Sequence, residues 1–356
     1  MKNYRVLGVA FFPTVQSLAG NPYWSMLVEE LSKLGVDIDL EAPPYFDLLW
    51  LINHRTKINI LHIHYFQQFY KSSTLIRKFV KLILFASNMI AARLLGFRTV
   101  LTLHNLEGTY LVQPAWLDYL GHWIATNFSE RVIVHCNEAQ RLMIKKYGRR
   151  RNVYVVDHPN FIDYYSNHIS REDSRKRLNL SVNDFVFTFF GGIRPNKGIE
   201  ILIQAFQKLP DENYRLLIAG KVYPPEEYAQ SLQVLASNDK RVYFNLNHIP
   251  DEDIQVYLNA TDIVVLPFSK ILTSSTVHLA MSFARPVIAP RIGCLPELIG
   301  LEVGWMFQHG NVDSLADAME LAANSDGDQV GKKAYEKISR FSPSHFAEQT
   351  LKVYAD

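Results

Sequence analysis

The sequence predicts an α/β protein built from two doubly wound domains, each a parallel sheet with helices on both faces. Short apolar runs such as IVVL at 263–266 alternate with segments whose apolar residues recur every three or four positions. The chain has 356 residues, a length typical of two domains. The alternation lapses once, between about residues 158 and 183, and then resumes. Strands that alternate with helices in this way favour parallel sheets.

Composition limits the kinds of partner that the protein is expected to bind. The net charge of +2 leaves no basic excess to drive nucleic-acid binding. The two cysteines, Cys136 and Cys294, lie in different halves, and the sequence shows no metal-ligand cluster, so no metal is expected. The first apolar run is short and is followed by Pro13, which favours a first strand over a signal peptide. A cytoplasmic location is therefore expected.

The first half opens as a β-α-β unit. A helix over 24–34 has Trp24, Leu27 and Leu31 at helical spacing and stops at Gly35. Apolar or alternating runs predict six strands, at 4–12, 36–40, 60–65, 99–103, 131–135 and 153–156.

Two histidine features lie at strand ends in this half. His104 and Glu107 follow the predicted strand 99–103, and histidine is suited to accept a proton near neutral pH. The alternative is a histidine that is only hydrogen-bonded in a loop. His62 and His64 face one side of their strand, and packing or substrate contact fits them better than zinc, because further ligands are missing.

Residues 71–96 combine a strongly apolar helical run with basic residues. The apolar core, 82–92, is much shorter than the roughly 20 residues that span a bilayer. Lys71, Arg77, Lys78, Lys81 and Arg93 flank or interrupt it, so 71–95 could lie in the interface of an anionic membrane. An ordinary core helix with a solvated basic edge is the alternative.

The second half has a glycine turn beside two cations. A predicted strand at 185–190 runs directly into Gly191-Gly192, with Arg194 and Lys197 following. Glycine lets backbone approach a ligand closely, although basic residues in β-α loops are common. The spacing matches neither the P-loop nor the GxGxxG pattern. Further strands are predicted at 215–219 and 242–244, with a helix at 251–258.

The second anion-binding feature follows the strand at 263–266. Hydroxyl residues at 273–276 precede an apolar helical pattern, and their oxygens can accept the first unpaired amide hydrogens. A further strand follows at 286–290. Because both loops leave carboxyl ends of parallel strands, a diphosphate could be neutralised from two sides at one sheet edge. A well-capped crossover without a ligand remains the alternative.

These segments resemble the GT-B glycosyltransferases over nearly the whole chain. FFGGIRPNKGIEILIQAF resembles the motif around their donor-phosphate cations, and LPFSKILTSSTVHLAMSFARPVIAP resembles their donor-binding loop and helix. NPY, LHIHYFQQ and TLHN resemble the xanthan-type GDP-mannose:glycolipid β-mannosyltransferases, and FSPSHFAEQTLKVYAD resembles the terminal helix that crosses back to the first domain.

The resemblance implies two Rossmann-like domains facing across a cleft. It implies an acceptor-binding domain at 1–163, a nucleotide-sugar-binding domain at 164–340 and a crossover helix at 341–356. It implies acceptor or cleft contacts by Gly20, Asn21, Tyr23 and His64. The implied donor-binding residues are Gly191, Gly192, Arg194, Lys197, Gly198, Ile249, Lys270, Thr273, Ser274, Ser275 and Thr276.

The implied activity is metal-independent hexosyl transfer without a cofactor, from a nucleotide sugar, with GDP-mannose favoured over a UDP-sugar. The acceptor would be a glycan or polyprenyl-linked sugar in exopolysaccharide or glycolipid synthesis at the inner face of the membrane. Retaining family 4 enzymes usually carry two glutamates where this chain has Ile271 and Leu279, which favours an inverting reaction with His104 or Glu107 as base. The alternative is a catalytically silent nucleotide-sugar-binding protein.

Overall fold

The computed structural model describes residues 7–14, 21–107, 114–300 and 302–356. The chain forms two compact units: unit 1 is Met1–Pro159 with Pro343–Asp356, and unit 2 is Asn160–Ser342. The boundaries expected from the sequence, after residues 163 and 340, fall four and two residues away from these.

Unit 1 contains a parallel sheet of six described strands in the order β2-β1-β3-β4-β5-β6. Its strands are β1 (Gly8–Phe12), β2 (Asp37–Asp39), β3 (Ile60–Ile63), β4 (Arg98–Thr102), β5 (Arg131–Val134) and β6 (Val153–Val155). Its described helices are α1 (Pro22–Lys33), α2 (Leu48–His54), α3 (Leu75–Leu94), α4 (Ala115–Phe128), α5 (Asn137–Tyr147) and, from the end of the chain, α14 (Pro343–Ala355).

Local sequence explains where these helices begin. The Asn21 side chain accepts the Tyr23 amide hydrogen at 3.2 Å, and Pro22 occupies the first helical position of α1. Trp24, Leu27 and Leu31 then pack in one core with Val9 and Phe11 of β1 and with α14. The predicted strand 36–40 is shorter, at Asp37–Asp39, because this edge strand pairs only with β1.

Unit 2 repeats the architecture, with a parallel sheet of six described strands in the order β12-β11-β10-β7-β8-β9. Its strands are β7 (Phe185–Phe190), β8 (Tyr214–Ala219), β9 (Val242–Asn245), β10 (Ile263–Val265), β11 (Val287–Pro290) and β12 (Gly304–Phe307). Its described helices are α6 (Arg171–Arg177), α7 (Ile199–Phe206), α8 (Glu227–Ala236), α9 (Ile254–Ala260), α10 (Ser275–Ser282), α11 (Leu295–Ile299), α12 (Val312–Ala323) and α13 (Gly327–Ile338).

Two further elements differ from expectation. The helix expected at 251–258 starts as a 3-10 turn, Asp251–Asp253, and becomes α9 only at Ile254. Strand β12 was not predicted, because its four residues begin with a glycine and are too few to show a period.

Among the helices that the structure describes, none is both long and apolar enough to cross a membrane.

Candidate functional site

In unit 2 the strand order reverses between β7 and β10. Strand β7 pairs with β8 on one side and with β10 on the other, and successive strands then extend the sheet outwards in both directions. The loops that leave the carboxyl ends of two such strands diverge and open a crevice, which is where open α/β sheets bind ligands. The loops here are 191–198, the glycine–cation loop, and 266–276, the hydroxyl loop.

These two loops lie against each other. Gly191 has φ +132°, and a Cβ atom there would lie 3.5 Å from Oγ1 of Thr276. Gly198 has φ +67°, and its Cβ would collide with the carbonyl oxygen of Pro267. The amide of Ser269 donates to the carbonyl of Asn196 at 3.2 Å. The structure therefore brings together the two features that the sequence placed at one sheet edge.

Both cations of the glycine–cation loop lie over aromatic rings. The Arg194 guanidinium carbon is 4.0 Å from the centre of the Tyr223 ring, and Lys197 Nζ is 4.7 Å from the centre of the Phe268 ring. The Tyr223 ring also fills the space beside Gly192, where a Cβ would lie 2.9 Å from it. These rings limit the positions that the two long side chains can adopt.

Lys197 is held in an unfavourable electrostatic environment. Burial, and secondarily the charge of Arg194, lowers the pKa of Lys197 to about 8. No carboxylate of a described residue pairs with its ammonium group. Two neighbouring cations of which one lacks an acidic partner form a site that favours an anion.

The hydroxyl loop contributes the start of α10. The Ser274 hydroxyl caps this helix by accepting the amide hydrogen of Val277 at 3.4 Å. The amides of Ser275 and Thr276 lie in the first turn, at the positive end of the helix dipole. Thr273 precedes the cap and is half-buried. The prediction that a hydroxyl residue begins this helix is confirmed for Ser274.

The remaining expected donor-binding residues lie on loops at the same sheet edge. Ile249 is buried in the loop that follows β9, and Lys270 is exposed within the hydroxyl loop. Ile271 is half-buried in that loop, and Leu279 is buried on α10. Their apolar side chains supply no carboxylate at either position.

In unit 1 the carboxyl edge of the sheet carries a histidine cluster, which comprises His62, His64, His104 and His135. His64 directly follows β3, His104 lies two residues after β4, and His135 directly follows β5. His62, His64 and His135 are buried, whereas His104 is half-buried. His104 is thus the most accessible residue of the cluster.

Hydrogen bonds fix these rings. Nδ1 of His64 and Nε2 of His104 are 3.0 Å apart, so one of the two rings donates its N–H to the other. His62 lies 2.6 Å from the Tyr354 hydroxyl and 2.8 Å from the Thr102 hydroxyl. His135 Nδ1 donates to the carbonyl of Val156 at 2.9 Å.

The cluster is uncharged at neutral pH. Burial lowers the pKa of His62 to about 3 and that of His135 to about 4. Burial, reinforced by the other histidines, also holds the pKa values of His64 and His104 well below 6.5. Among the described residues, no group of three or more His, Cys, Asp or Glu side chains could hold a metal ion.

The other expected site residues of unit 1 have different surroundings. Tyr23 was expected to contact the acceptor, but it is buried with its hydroxyl 3.5 Å from His135 Nε2. His64 is likewise buried behind His104, and the Asn21 side chain caps α1. Glu107 Oε1 forms an ion pair with Lys146 Nζ at 2.5 Å. Gly20 lies outside the described residues.

Sequence reasoning missed the aromatic partners of the cations and part of the histidine cluster. Tyr223 and Phe268 lie in loops, so no periodicity marks them. His135 could have been found, because it ends a predicted strand in the same way as His104.

The match to a known protein family falls within unit 2. Residues 170–340 match the family described as glycosyl transferases group 1. The chain is 24% identical over 336 residues to a GDP-mannose:glycolipid 4-beta-D-mannosyltransferase from Xanthomonas campestris, an alignment that covers 90% of this chain and 86% of that protein. It is 29% identical over 231 residues to the D-inositol 3-phosphate glycosyltransferase of Corynebacterium glutamicum, covering 62% of this chain but only 55% of that relative.

Solved structures show the same fold. Sucrose-phosphate synthase from Thermosynechococcus elongatus superposes with a TM-score of 0.77 at 17% identity, covering 98% of each chain. Anabaena HepE in complex with UDP-glucose gives a TM-score of 0.75 at 18% identity, covering 98% of this chain and 99% of that one. The two parallel sheets with flanking helices are those of the GT-B glycosyltransferase fold, as expected from the sequence.

Proposed function

We propose that the protein is a glycosyltransferase of group 1, the family that residues 170–340 match, and that it transfers a hexose from a nucleotide sugar to a glycan or lipid-linked sugar. The observation that carries the proposal is the convergence of Arg194, Lys197 and the start of α10 at the crevice between β7 and β10. Two cations and a helix N-terminus suit the diphosphate of such a donor.

The same groups would stabilise the leaving group. As the bond from the sugar to the diphosphate breaks, negative charge grows on the departing phosphate while the sugar becomes oxocarbenium-like. Arg194, Lys197 and the amides of Ser275 and Thr276 would supply positive charge where this negative charge develops. We propose that transfer therefore needs neither a metal nor a cofactor, so activity should persist in a chelator.

Support for the donor comes from the relatives. The Xanthomonas relative that aligns with 90% of this chain is named for GDP-mannose, which favours GDP-mannose here. Anabaena HepE, which shares the fold, was solved with UDP-glucose, so a UDP-sugar is the other candidate. We propose exopolysaccharide or glycolipid synthesis as the process in which the enzyme acts.

We propose an inverting reaction in which His104 takes the proton of the acceptor hydroxyl. For Nδ1 of His104 to accept that proton, its Nε2 must carry the hydrogen and donate to His64 Nδ1. His64 would then hold His104 in its accepting tautomer and stabilise the imidazolium that forms. Glu107 is the weaker candidate for the base. Its ion pair with Lys146 stabilises the deprotonated carboxylate, which therefore has less tendency to take up a proton.

A lipid-linked acceptor would place the protein at the inner face of the membrane. The basic, apolar segment 71–95 would then keep unit 1 at an anionic lipid surface. An enzyme that works equally well on a soluble acceptor and does not bind liposomes would contradict this part of the proposal.

One observation favours a different function, that of a catalytically silent nucleotide-sugar-binding protein. Ile271 and Leu279 cannot bind a hydroxyl as carboxylates would. Binding of a nucleotide sugar without turnover on any acceptor would select this alternative.

The direct test of the donor site is thermal stabilisation of the protein by GDP, UDP, ADP and their sugar conjugates. A selective rise in Tm is expected, and Lys197→Ala should weaken nucleotide binding about tenfold to a hundredfold, because a hydrogen bond to a charged group contributes about 1.5–3 kcal/mol. Lys240→Ala, an exposed lysine of the same unit, is the matched control. If no nucleotide shifts a cooperative melt, the proposed function is wrong.

A further inference from the structure

Helix α3 is largely uncovered although it is strongly apolar. Only its Leu82, Phe85, Met89 and Ala92 are buried. Six large apolar residues in its first half are exposed: Leu75, Ile76, Phe79, Val80, Ile83 and Leu84. Ile76 is 78% exposed, and Leu94 at the far end is 82% exposed. An ordinary core helix would bury most of these side chains.

The exposed apolar surface extends onto both neighbouring helices. Trp116, Tyr119 and Trp123 of α4 are exposed at spacings of three and four residues, which places them on one helix face. The rings of Trp116 and Phe79 are 6.3 Å apart, so the faces of α4 and α3 are continuous. Helix α2 also packs against α3 and exposes Leu48, Leu49 and Ile52. We call the exposed faces of α2, α3 and α4 the three-helix surface.

The charged residues of α3 are all basic. Residues 48–106 contain eight Lys or Arg residues and no Asp or Glu, although the whole chain has 37 basic and 35 acidic residues. Carboxylates beside this stretch include the exposed Asp47, which caps α2, and the buried Asp118 of α4. Arg77, Lys81 and Arg93 are exposed on α3 among its apolar side chains. Apolar, aromatic and basic residues on one face suit the surface of an anionic bilayer. Apolar side chains favour the acyl region, aromatic rings the level of the headgroups, and cations the anionic headgroups themselves.

A second copy of this chain fits the same surface poorly. A symmetric dimer brings the same patch of both copies together, so the exposed cations would face each other. Helices α2 and α3 contain no carboxylate to pair with them, and Asp47, which caps α2, is a single carboxylate per copy against several cations. Anionic lipid headgroups would neutralise the cations while the acyl region accepts the apolar side chains.

We propose that the three-helix surface docks unit 1 onto an anionic lipid bilayer, with the apolar faces of α3 and α4 inserted among the headgroups. This deepens the proposed function, on which it rests for its biological purpose, by extending the contact from 71–95 to α2 and to the aromatic face of α4. Lipid binding itself requires no catalysis.

The test is flotation of the full-length protein with phosphatidylcholine vesicles, with and without phosphatidylglycerol. The protein should float with the anionic vesicles only, and less at high salt. Ile76→Ser, Ile83→Ser and Leu84→Ser together should lower partitioning at least about tenfold. Val234→Ser with Leu321→Ser should not lower it, because these equally exposed residues lie on α8 and α12 of unit 2. Arg77→Gln with Lys81→Gln should reduce binding about fivefold per cation and flatten the salt dependence.

Three results would overturn the proposal: no flotation with anionic vesicles, unchanged flotation of the triple serine variant, or a wild-type dimer that this variant converts to a monomer. The last result would assign the surface to a second copy. Nucleotide-dependent stabilisation is measured on the same samples. This measurement distinguishes a loss of lipid binding from a failure of the nucleotide site. A triple variant that still responds to nucleotide retains a folded unit 2, and the charge variants test the surface without removing apolar side chains.

Discussion

The positive charge of Lys197 can be removed by raising the pH within the range in which binding can be measured. Its pKa is lowered to about 8 in the unliganded protein, mainly by burial. A bound diphosphate would raise that pKa, so binding takes up a proton once the pH exceeds 8. Nucleotide affinity should therefore be constant below pH 8 and fall up to about tenfold per pH unit above it.

The measurement is the Kd of the stabilising nucleotide between pH 6.5 and 10 by calorimetry. Lys197→Arg is the matched variant, since its guanidinium stays charged throughout. It should show a nearly flat profile. A wild-type affinity that is equally flat would mean that Lys197 does not contact the bound anion.

His104 offers a second test at the scale of one residue. Its pKa is held well below 6.5, so the acidic limb of kcat/KM should lie below that of an ordinary histidine, with no loss as pH falls from 7.5 to 6.5. His104→Ala should lower kcat about 10²- to 10⁴-fold and leave nucleotide binding in unit 2 unchanged. His168→Gln, an exposed histidine, is the control.

His64 acts on the reaction through His104 in this mechanism. His64→Gln keeps an oxygen that can accept the His104 Nε2–H, whereas His64→Leu removes the acceptor. Activity should be largely retained in the first variant and fall about tenfold to a hundredfold in the second. Equal loss in both variants would reduce His64 to a packing role.

At the scale of elements, the turn between α10 and β11 stores backbone strain. Ala284 has φ +54°, the left-handed region that favours glycine. Ala284→Gly should therefore raise the free energy of unfolding by about 0.5 kcal/mol, as relief of strain outweighs the added chain entropy.

Urea denaturation of unit 2 measures this effect. Ala316→Gly, in the middle of α12, is the control and should destabilise by about 1 kcal/mol, because a helical glycine gains nothing from its freedom. If Ala284→Gly destabilises to the same extent, the turn is not strained.

The sequence allowed the elements with strong local signals to be predicted. Strand β7 was predicted at the observed residues, and the start of α10 followed from the hydroxyl at Ser274. Both depend on neighbouring residues alone. The Phe268 ring beside Lys197 and the pairing of His64 with His104 depend on loops and strands that meet only in the folded sheet. Such contacts leave no period in the chain, so residue types at strand ends could suggest a site but not its partners.

At the scale of the whole molecule, unit 1 depends on the last residues of the chain. Phe346, Val353 and Tyr354 of α14 are buried in the same core as β1 and α1. The Tyr354 carbonyl accepts hydrogen bonds from Arg98 at 2.7 Å and from Arg131 at 3.3 Å. Each large buried side chain contributes about 1.5–3 kcal/mol, so α14 supplies a stabilisation comparable to the 5–15 kcal/mol of a typical domain.

A chain that ends at Ser342 should therefore lose unit 1 and keep unit 2, which includes none of α14. In this chain a cooperative melt that shifts with nucleotide should remain, while the near-ultraviolet signal of Trp24 in the unit 1 core is lost. A chain that lacks only Asp356, which is exposed, is the control and should melt like the full-length protein. If the shorter chain keeps both signals, α14 only covers a core that β1, α1 and their neighbours already hold. If it loses both, the two units fold as one cooperative structure, and the nucleotide site cannot be studied apart from unit 1.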